Sequence, residues 1–331
     1  MIKPAYKLTI GDKIVDTTSD PQASTVTDLM VSLDMDAPAD SFTLTLGQVD
    51  GLNPEPDDEA TIELGYADDD ELFQVFTGKV VAAGPGLIQN RIVGHTNTDT
   101  LLHSFTDETY ESMSAGDIVS DLAAQAGIDT ATIEDGINFP AYVIDGRRSF
   151  YRHMRDLADL CGFDVFINSE GELVFKSFSS GETIHLFDYA KHIIELDFRN
   201  VRAEAGSVEA FGESPAGEQA DEAWAWLTKD FSGSKGVGGN DEPVHLLERP
   251  VLRTAAAAQT AAQAAHTNIE RRTIRGRLVS SGRPRVKLGD AIRIREVPEE
   301  SFNDTFQVRS VTHHITKTSG FMTRIGFQSI N

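Results

Sequence analysis

Residues 283–328, RPRVKLGDAIRIREVPEESFNDTFQVRSVTHHITKTSGFMTRIGFQ, read as an antiparallel three-stranded meander, and this reading decides the fold. Leu288–Gly289–Asp290 is a tight-turn signal that feeds a half-buried strand. In it Ile292 and Ile294 point one way and Arg293 and Arg295 the other. A polar connection leads to Phe306–Gln307–Val308. Val311 then falls on the wrong parity, so the spacing predicts a β-bulge before Thr312 to Ile315. A turn at Thr318 to Gly320 opens a last strand with Phe321, Thr323, Ile325 and Phe327 on one face.

The same arrangement recurs near the N-terminus. Asp58 to Leu64 parallels Gly289 to Ile294, an acidic loop follows in both, and the tripeptide returns as Phe73–Gln74–Val75. A bulge-like Gly78 and a strand from Leu87 to Val93 complete the match. An internal duplication is therefore expected, with Phe73 and Phe306 at equivalent positions.

Outward from these two anchors, Lys7 to Ile10, Gly11–Asp12 and Lys13 to Val15 form a two-residue hairpin. Leu29, Val31, Leu33 and Met35 alternate with polar neighbours, and Asp36 to Asp40 turns the chain into Phe42, Leu44 and Leu46. Six or seven strands within residues 1–95 close naturally as a small barrel or sandwich. Residues 96–188 read as an α/β segment. One helix opens on the capping box Ser114 to Asp117 and stops at Gly127; a second starts at Ser149 and ends at Gly162, followed by a hairpin from Phe163 to Phe175. Residues 189–331 read as a second barrel. Ile193 to Phe198 and Gly206 to Phe211 would be its first strands, interrupted by a polar insertion over 212–250 and a helix over 254–272. Trp224 and Trp226 would anchor that insertion. The fold class is thus mainly β with an α/β insertion, two similar small β-barrels in one chain.

A chain of 331 residues exceeds the roughly 150 expected per domain, so two or three domains are expected. The single Cys161 excludes an intramolecular disulfide framework, and its place on an apolar helix face predicts a buried thiol. No apolar run approaches the roughly 20 residues of a membrane span and Met1 to Pro4 has no signal-peptide core, so a soluble chain made in the cytoplasm is expected. The net charge of −23 argues against general nucleic-acid binding. That charge is unevenly placed: residues 1–90 hold 17 acidic and 4 basic side chains, net −13, whereas residues 271–331 hold 5 acidic and 12 basic, net +7.

Motifs that carry chemistry are missing: there is no phosphate loop, no G-x-S-x-G elbow and no H-E-x-x-H. His313 and His314 are neighbours on a strand and face opposite sides, which disfavours a shared metal. Carboxylates are too abundant for any pair to indicate a hydrolase. Neither a catalytic residue, a cofactor nor a metal is assigned, and no enzyme activity is expected. Arg271, Arg272, Arg275 and Arg277 form the one dense basic cluster, read as a solvated or subunit-facing charge patch, with a nucleic-acid site as the competing reading.

Three groups of residues carry a family resemblance. Asp40 to Leu46, Ile62 to Tyr66 and Val75 to Val80 look like the first barrel of the phage late control gene D family, the baseplate hubs of contractile tails and injection systems, akin to the hub part of VgrG. Ser149 to Ala158, Cys161–Gly162–Phe163 and Gly171 to Phe175 resemble its helix-hairpin signature. Leu288 to Asp290, Phe306 to Val308 and His313 to Thr323 resemble its closing strands. The resemblance spans the chain and departs from it at Gly212 to Glu242.

The resemblance implies a structural hub. Three chains, each with two like barrels, would form a pseudo-hexameric ring that adapts a hexameric tail tube to a trimeric spike. Its implied partners are other copies of itself as a homotrimer, the tail tube protein, the central spike protein and other baseplate proteins. No specific nucleic-acid recognition and no membrane insertion are implied, and the place of action is a virion tail or extracellular injection particle. The chain ends soon after the second barrel, so the spike is expected to be a separate polypeptide. The competing readings are a tail-associated cell-wall hydrolase and a monomeric glycan- or solute-binding β-protein.

Overall fold

A computed structural model describes residues 3–330 except 20–25, 38–39, 48–51, 70, 87–88, 181–182 and 213–234. Trp224 and Trp226 therefore lie outside the described residues. Alternating apolar residues and tight turns build seven strands in the first part of the chain: β1 (Pro4–Ile10), β2 (Lys13–Asp16), β3 (Val26–Asp34), β4 (Ser41–Gly47), β5 (Glu59–Tyr66), β6 (Phe73–Pro85) and β7 (Gln89–His95). Gly11, at φ 56°, makes the predicted β1–β2 hairpin turn.

The middle segment holds α1 (Thr98–Leu102), β8 (Glu108–Ser114), α2 (Ala115–Gln125), β9 (Thr130–Ile133), β10 (Asn138–Ile144), α3 (Phe150–Cys161), β11 (Asp164–Ile167) and β12 (Leu173–Lys176). The capping box forms as predicted: the Ser114 hydroxyl accepts from the Asp117 N–H, and the Asp117 carboxylate accepts from the Ser114 N–H. Gly162 ends α3 in the left-handed region.

The last part holds β13 (Ile184–Asp188), β14 (Ile193–Asn200), β15 (Ser207–Phe211), β16 (Gly236–Gly239), β17 (Val244–Glu248), α4 (Ala255–Arg271), β18 (Ile274–Ser281), β19 (Ala291–Arg295), β20 (Thr305–Thr316) and β21 (Gly320–Ser329). β15 departs from the sequence reading. It pairs with β16 and β17 in a separate three-stranded sheet instead of joining the large one. That small sheet packs on α4, where a Cβ on Gly236 or Gly238 would fall 2.1 Å or 2.4 Å from the α4 backbone. Alanines on the helix and glycines on the strand let the two backbones approach this closely.

Among the described residues thirteen strands make one sheet, and its main path runs β14-β18-β21-β20-β3-β4-β7-β6-β5-β1-β2, with β19 and then β13 branching from β20. The two halves share one strand order. β1-β5-β6-β7-β4-β3 and β13-β19-β20-β21-β18-β14 are the same permutation of six strands taken in chain order. They differ in one pairing: β1 and β5 are antiparallel, β13 and β19 parallel. Among the described residues the pairing path does not close on itself in either half, and the halves meet where β3 pairs with β20. Each of these strands would otherwise leave a row of unpaired backbone groups.

Register refines the repeat. Val80 faces Gly94 and then Ala82 faces Val93, leaving Val81 as the extra residue; Val308 faces Phe327 and then Ser310 faces Gly326, leaving Arg309. Val81 and Arg309 are thus the same bulge, and Val311 owes its parity to it. In this frame Leu44–Ile92 matches Leu278–Ile325, and Phe42–Gly94 matches Gly276–Phe327 with the two residue types exchanged. The aromatic ring covers the glycine in both. A Cβ on Gly94 would lie 2.2 Å from the Phe42 ring, and one on Gly276 2.3 Å from the Phe327 ring. Phe306 therefore corresponds to Gly78 and not to Phe73, although all three lie on matching strands. Gly78 is a close-approach site, 2.1 Å from the His95 carbonyl oxygen for an added Cβ, and not the bulge.

Two apolar cores result. One runs through both halves of the large sheet, from Leu8, Phe42 and Phe76 to Ile292, Phe306 and Phe327, and takes Phe166 and Val174 from the middle segment. The other joins α2 and α3 to α4, β15 and Leu252. No helix among the described residues is long and apolar enough to cross a membrane.

Candidate functional site

The predicted basic cluster is split by the fold. Arg271 closes α4, where a cation is favoured by the helix dipole. It is half-buried, its guanidinium lies over the Phe178 ring at 5.9 Å, its Nε has no hydrogen-bond partner among the described residues, and burial lowers its pKa. Arg272 caps the helix, and Arg275 and Arg277 follow on the outward face of β18. Across the ladder Arg277 faces Asp197, and the two form an ion pair at 2.9 Å. Arg275 faces Arg199. Like charges opposite each other on one sheet face cost about 0.2–1 kcal/mol, the reverse of the Arg277–Asp197 pair.

Arg199, Arg202, Arg272 and Arg275 converge on a cleft of about 470 Å³ with Val201, Ala203 and Ile269 in its lining and, among the described residues, Glu204 as the one acidic lining residue. The structure thus gathers Arg272 and Arg275 but not Arg271 or Arg277. Arg199 and Arg202 were missed because they lie about seventy residues upstream, in a strand end and loop without a local basic run; only the β14–β18 ladder brings them together.

Beside the cleft lies a buried polar junction. Arg309, the bulge residue of β20, donates to Asp164 of β11 and, at 2.6 Å, to Asp36 after β3. Gln307 donates to Asp164 at 2.5 Å and accepts from Gln328 at 3.0 Å. Arg155 of α3 donates to the Met35 carbonyl and lies 3.6 Å from Asp36. Burial alone would lower the Arg309 pKa, but Asp164 and Asp36 outweigh it and hold it above the usual arginine value. Burial would likewise raise the Asp36 carboxyl, yet Arg309 beside it keeps its pKa below the ordinary value. This network ties the first half, the middle segment and the second half together.

His313 and His314 do face opposite ways. His313 is fully enclosed, and burial pushes its pKa down to about 3. Thr323 Oγ1 accepts from the Arg283 N–H at 2.7 Å and shares a hydrogen bond with His313 Nδ1 at 3.0 Å. His314 lies 3.0 Å from Asp28 on the other face. His313 also lines a cavity of about 240 Å³ with Leu33, Val75, Phe166 and Val286, at the meeting of all three segments. Cys161 is buried, its Sγ accepts from the Ile137 N–H at 3.3 Å, and burial pushes its thiol up to about 11. Such a thiol is not a nucleophile at neutral pH.

No family model and no curated protein sequence matches the chain. Solved structures do. A 43 kDa tail protein of prophage MuSo2 from Shewanella oneidensis superposes with a TM-score of 0.75 at 14% identity, covering 99% of both chains. The fold is shared with phage tail proteins. A tail protein from Neisseria meningitidis MC58 gives a TM-score of 0.71 at 12% identity over 99% of this chain and 96% of its own. A type VI secretion system component from E. coli, itself described as similar to the T4 tail proteins gp27 and gp5, gives 0.61 at 11% identity over 97% and 76%. In this shared tail-protein fold the similarity extends through the large sheet, the middle segment and the small sheet alike.

Proposed function

We propose that the chain is a structural hub of a phage tail or of a related contractile injection system, assembled as a homotrimer that adapts a hexameric tail tube to a trimeric spike. The observation that carries this reading is the strand order repeated twice within one chain. Three such chains present six similar sheets around an axis, which resolves a sixfold-to-threefold mismatch without a second gene product. The tail-protein fold over 99% of the MuSo2 chain supports the same reading. In the ring, residues 1–95 and 184–331 act as the two barrel-like units, closed by neighbouring copies, and residues 96–183 brace them; the second unit begins at β13, five residues before the boundary read from the sequence. The partners are the tube protein, the spike and other baseplate proteins, and the protein acts structurally within a virion tail or injection particle. Arg272 and Arg275 belong to the subunit interface.

Negative-stain or cryogenic electron microscopy of the purified protein, with native mass measurement, tests this. Class averages of a threefold ring with six similar densities are expected. A monodisperse monomer at all concentrations up to those of assembly would overturn it.

A further inference from the structure

In a protein of net charge −23, four arginines share one cleft and none of them forms an ion pair within the described residues. Arg199 and Arg275 even face each other across the ladder, whereas the next pair, Asp197 and Arg277, is matched. A ladder position that holds two like charges in the isolated chain is satisfied once an anionic group is seated between them.

The complementary charge lies at the other end of the strand order. The turn entering β5 carries Glu55, Asp57, Asp58 and Glu59, adjoining the β1–β2 turn through the Gly11 N–H to Glu59 carbonyl bond at 2.9 Å. Glu55, Asp57 and Glu59 are exposed. The opposite end of β5 touches this chain's own second half, where the Tyr66 hydroxyl donates to the Gly282 carbonyl at 2.9 Å. The acidic turn stands about 23 Å from that contact, at about 3.3 Å per residue along the strand. The arginine cleft flanks the edge strand β14, and the acidic turn flanks β1 and β2 at the far end of the sheet path. A surface that is basic at one end and acidic at the other associates head to tail, and head-to-tail contacts whose rotation closes form rings.

We infer that the cleft of Arg199, Arg202, Arg272 and Arg275 receives the acidic turn Glu55 to Glu59 of a second copy of this chain. The inference rests on the trimeric reading and names the two surfaces that meet in it. Complementary charge of this kind sets register and association rate, with apolar contact supplying most of the affinity.

The test uses the full chain and native mass spectrometry at low salt. The double variant Arg272→Glu/Arg275→Glu is expected to weaken trimer formation at least tenfold, and Asp57→Lys/Glu59→Lys to do the same. Combining all four substitutions is expected to restore trimer, since the cleft and the turn then attract again with signs exchanged. Arg275→Glu alone is expected to leave the monomer at least as heat-stable as the parent, because it places a carboxylate opposite Arg199; a loss of trimer by misfolding would lower it. Reversals that leave the trimer untouched would overturn the inference while leaving the trimeric reading standing. Trimer lost in both doubles and not regained in the combination would also overturn it. Absence of any trimer in the parent protein would remove the trimeric reading itself.

Discussion

Truncating Arg309 is the most informative single perturbation of the fold. Its side chain is 14% exposed and that of its partner Asp164 15%, so Arg309→Ala strands a buried carboxylate whose remaining partner is Gln307. Removing one member of a buried ion pair costs about 3–5 kcal/mol. The low end applies here, because Gln307 stays and a pocket of about 30 Å³ beside Asp164 admits water. Asp36, 42% exposed and still close to Arg155, adds about 0–1 kcal/mol after screening. The expected loss is therefore about 3 kcal/mol, or a melting temperature lower by about 4–5 °C at an unfolding entropy of about 2.1 cal/mol/K per residue. Calorimetry and urea titration measure it. A double-mutant cycle with Asp164→Ala should return a coupling of about 2–3 kcal/mol. Arg309→Met/Asp164→Leu should recover most of the loss, since an apolar pair leaves no charge behind. Single variants within about 0.5 kcal/mol of the parent, combining additively, would refute the claim that this junction fastens the three segments.

Two further outcomes follow from the burial of single groups. Asp40 is 4% exposed and its carboxyl is pushed up to about 7 by burial, with Asp34's charge adding and the Asp34 N–H bond at 2.6 Å opposing. The folded state thus holds the proton that the unfolded state loses near pH 4, so stability should fall as pH rises from about 4 to about 7, by up to about 1.4 kcal/mol per unit; Asp40→Asn should flatten that slope in a pH series of urea titrations, and an unchanged slope would reject it. Gly276→Ala would place its Cβ 2.3 Å from the Phe327 ring and 2.6 Å from the Asp197 carbonyl, so it should cost about 1–3 kcal/mol by thermal melting, whereas a neutral result would mean that the Phe–Gly cover is dispensable.

Local rules read well in this sequence because they depend on neighbours only. The bulge announced by Val311, the capping box at Ser114, the left-handed stop at Gly162 and the helix opening at Thr254 all lie where the chain's own spacing puts them. Misreadings arose where a local pattern had to choose a distant partner. Ser207 to Phe211 alternates like a strand of the large sheet, but pairs with Gly236 to Gly239 and Val244 to Glu248 in a small sheet that α4 approaches closely over Gly236 and Gly238. The shared Phe–Gln–Val tripeptide suggested a register that the cross-strand pairs move by five residues. Arg271 and Arg277 belong to the sequence cluster yet turn to Phe178 and Asp197, while Arg199 and Arg202 join the cleft through a ladder that no local signal encodes.

The ladder between β3 and β20 has a mechanical consequence. From Ser310 opposite Asp34 to Thr316 opposite Asp28, the two halves are joined by seven facing residue pairs. A pull along the strands loads these backbone bonds together, in shear, so they resist as a set. A pull across the sheet would open them one after another, like a zip. The joint is therefore stiff to thrust parallel to its strands and weak to peeling, and a strand seated beside β14 or β2 would protect the sheet in the direction in which its own bonds are weakest.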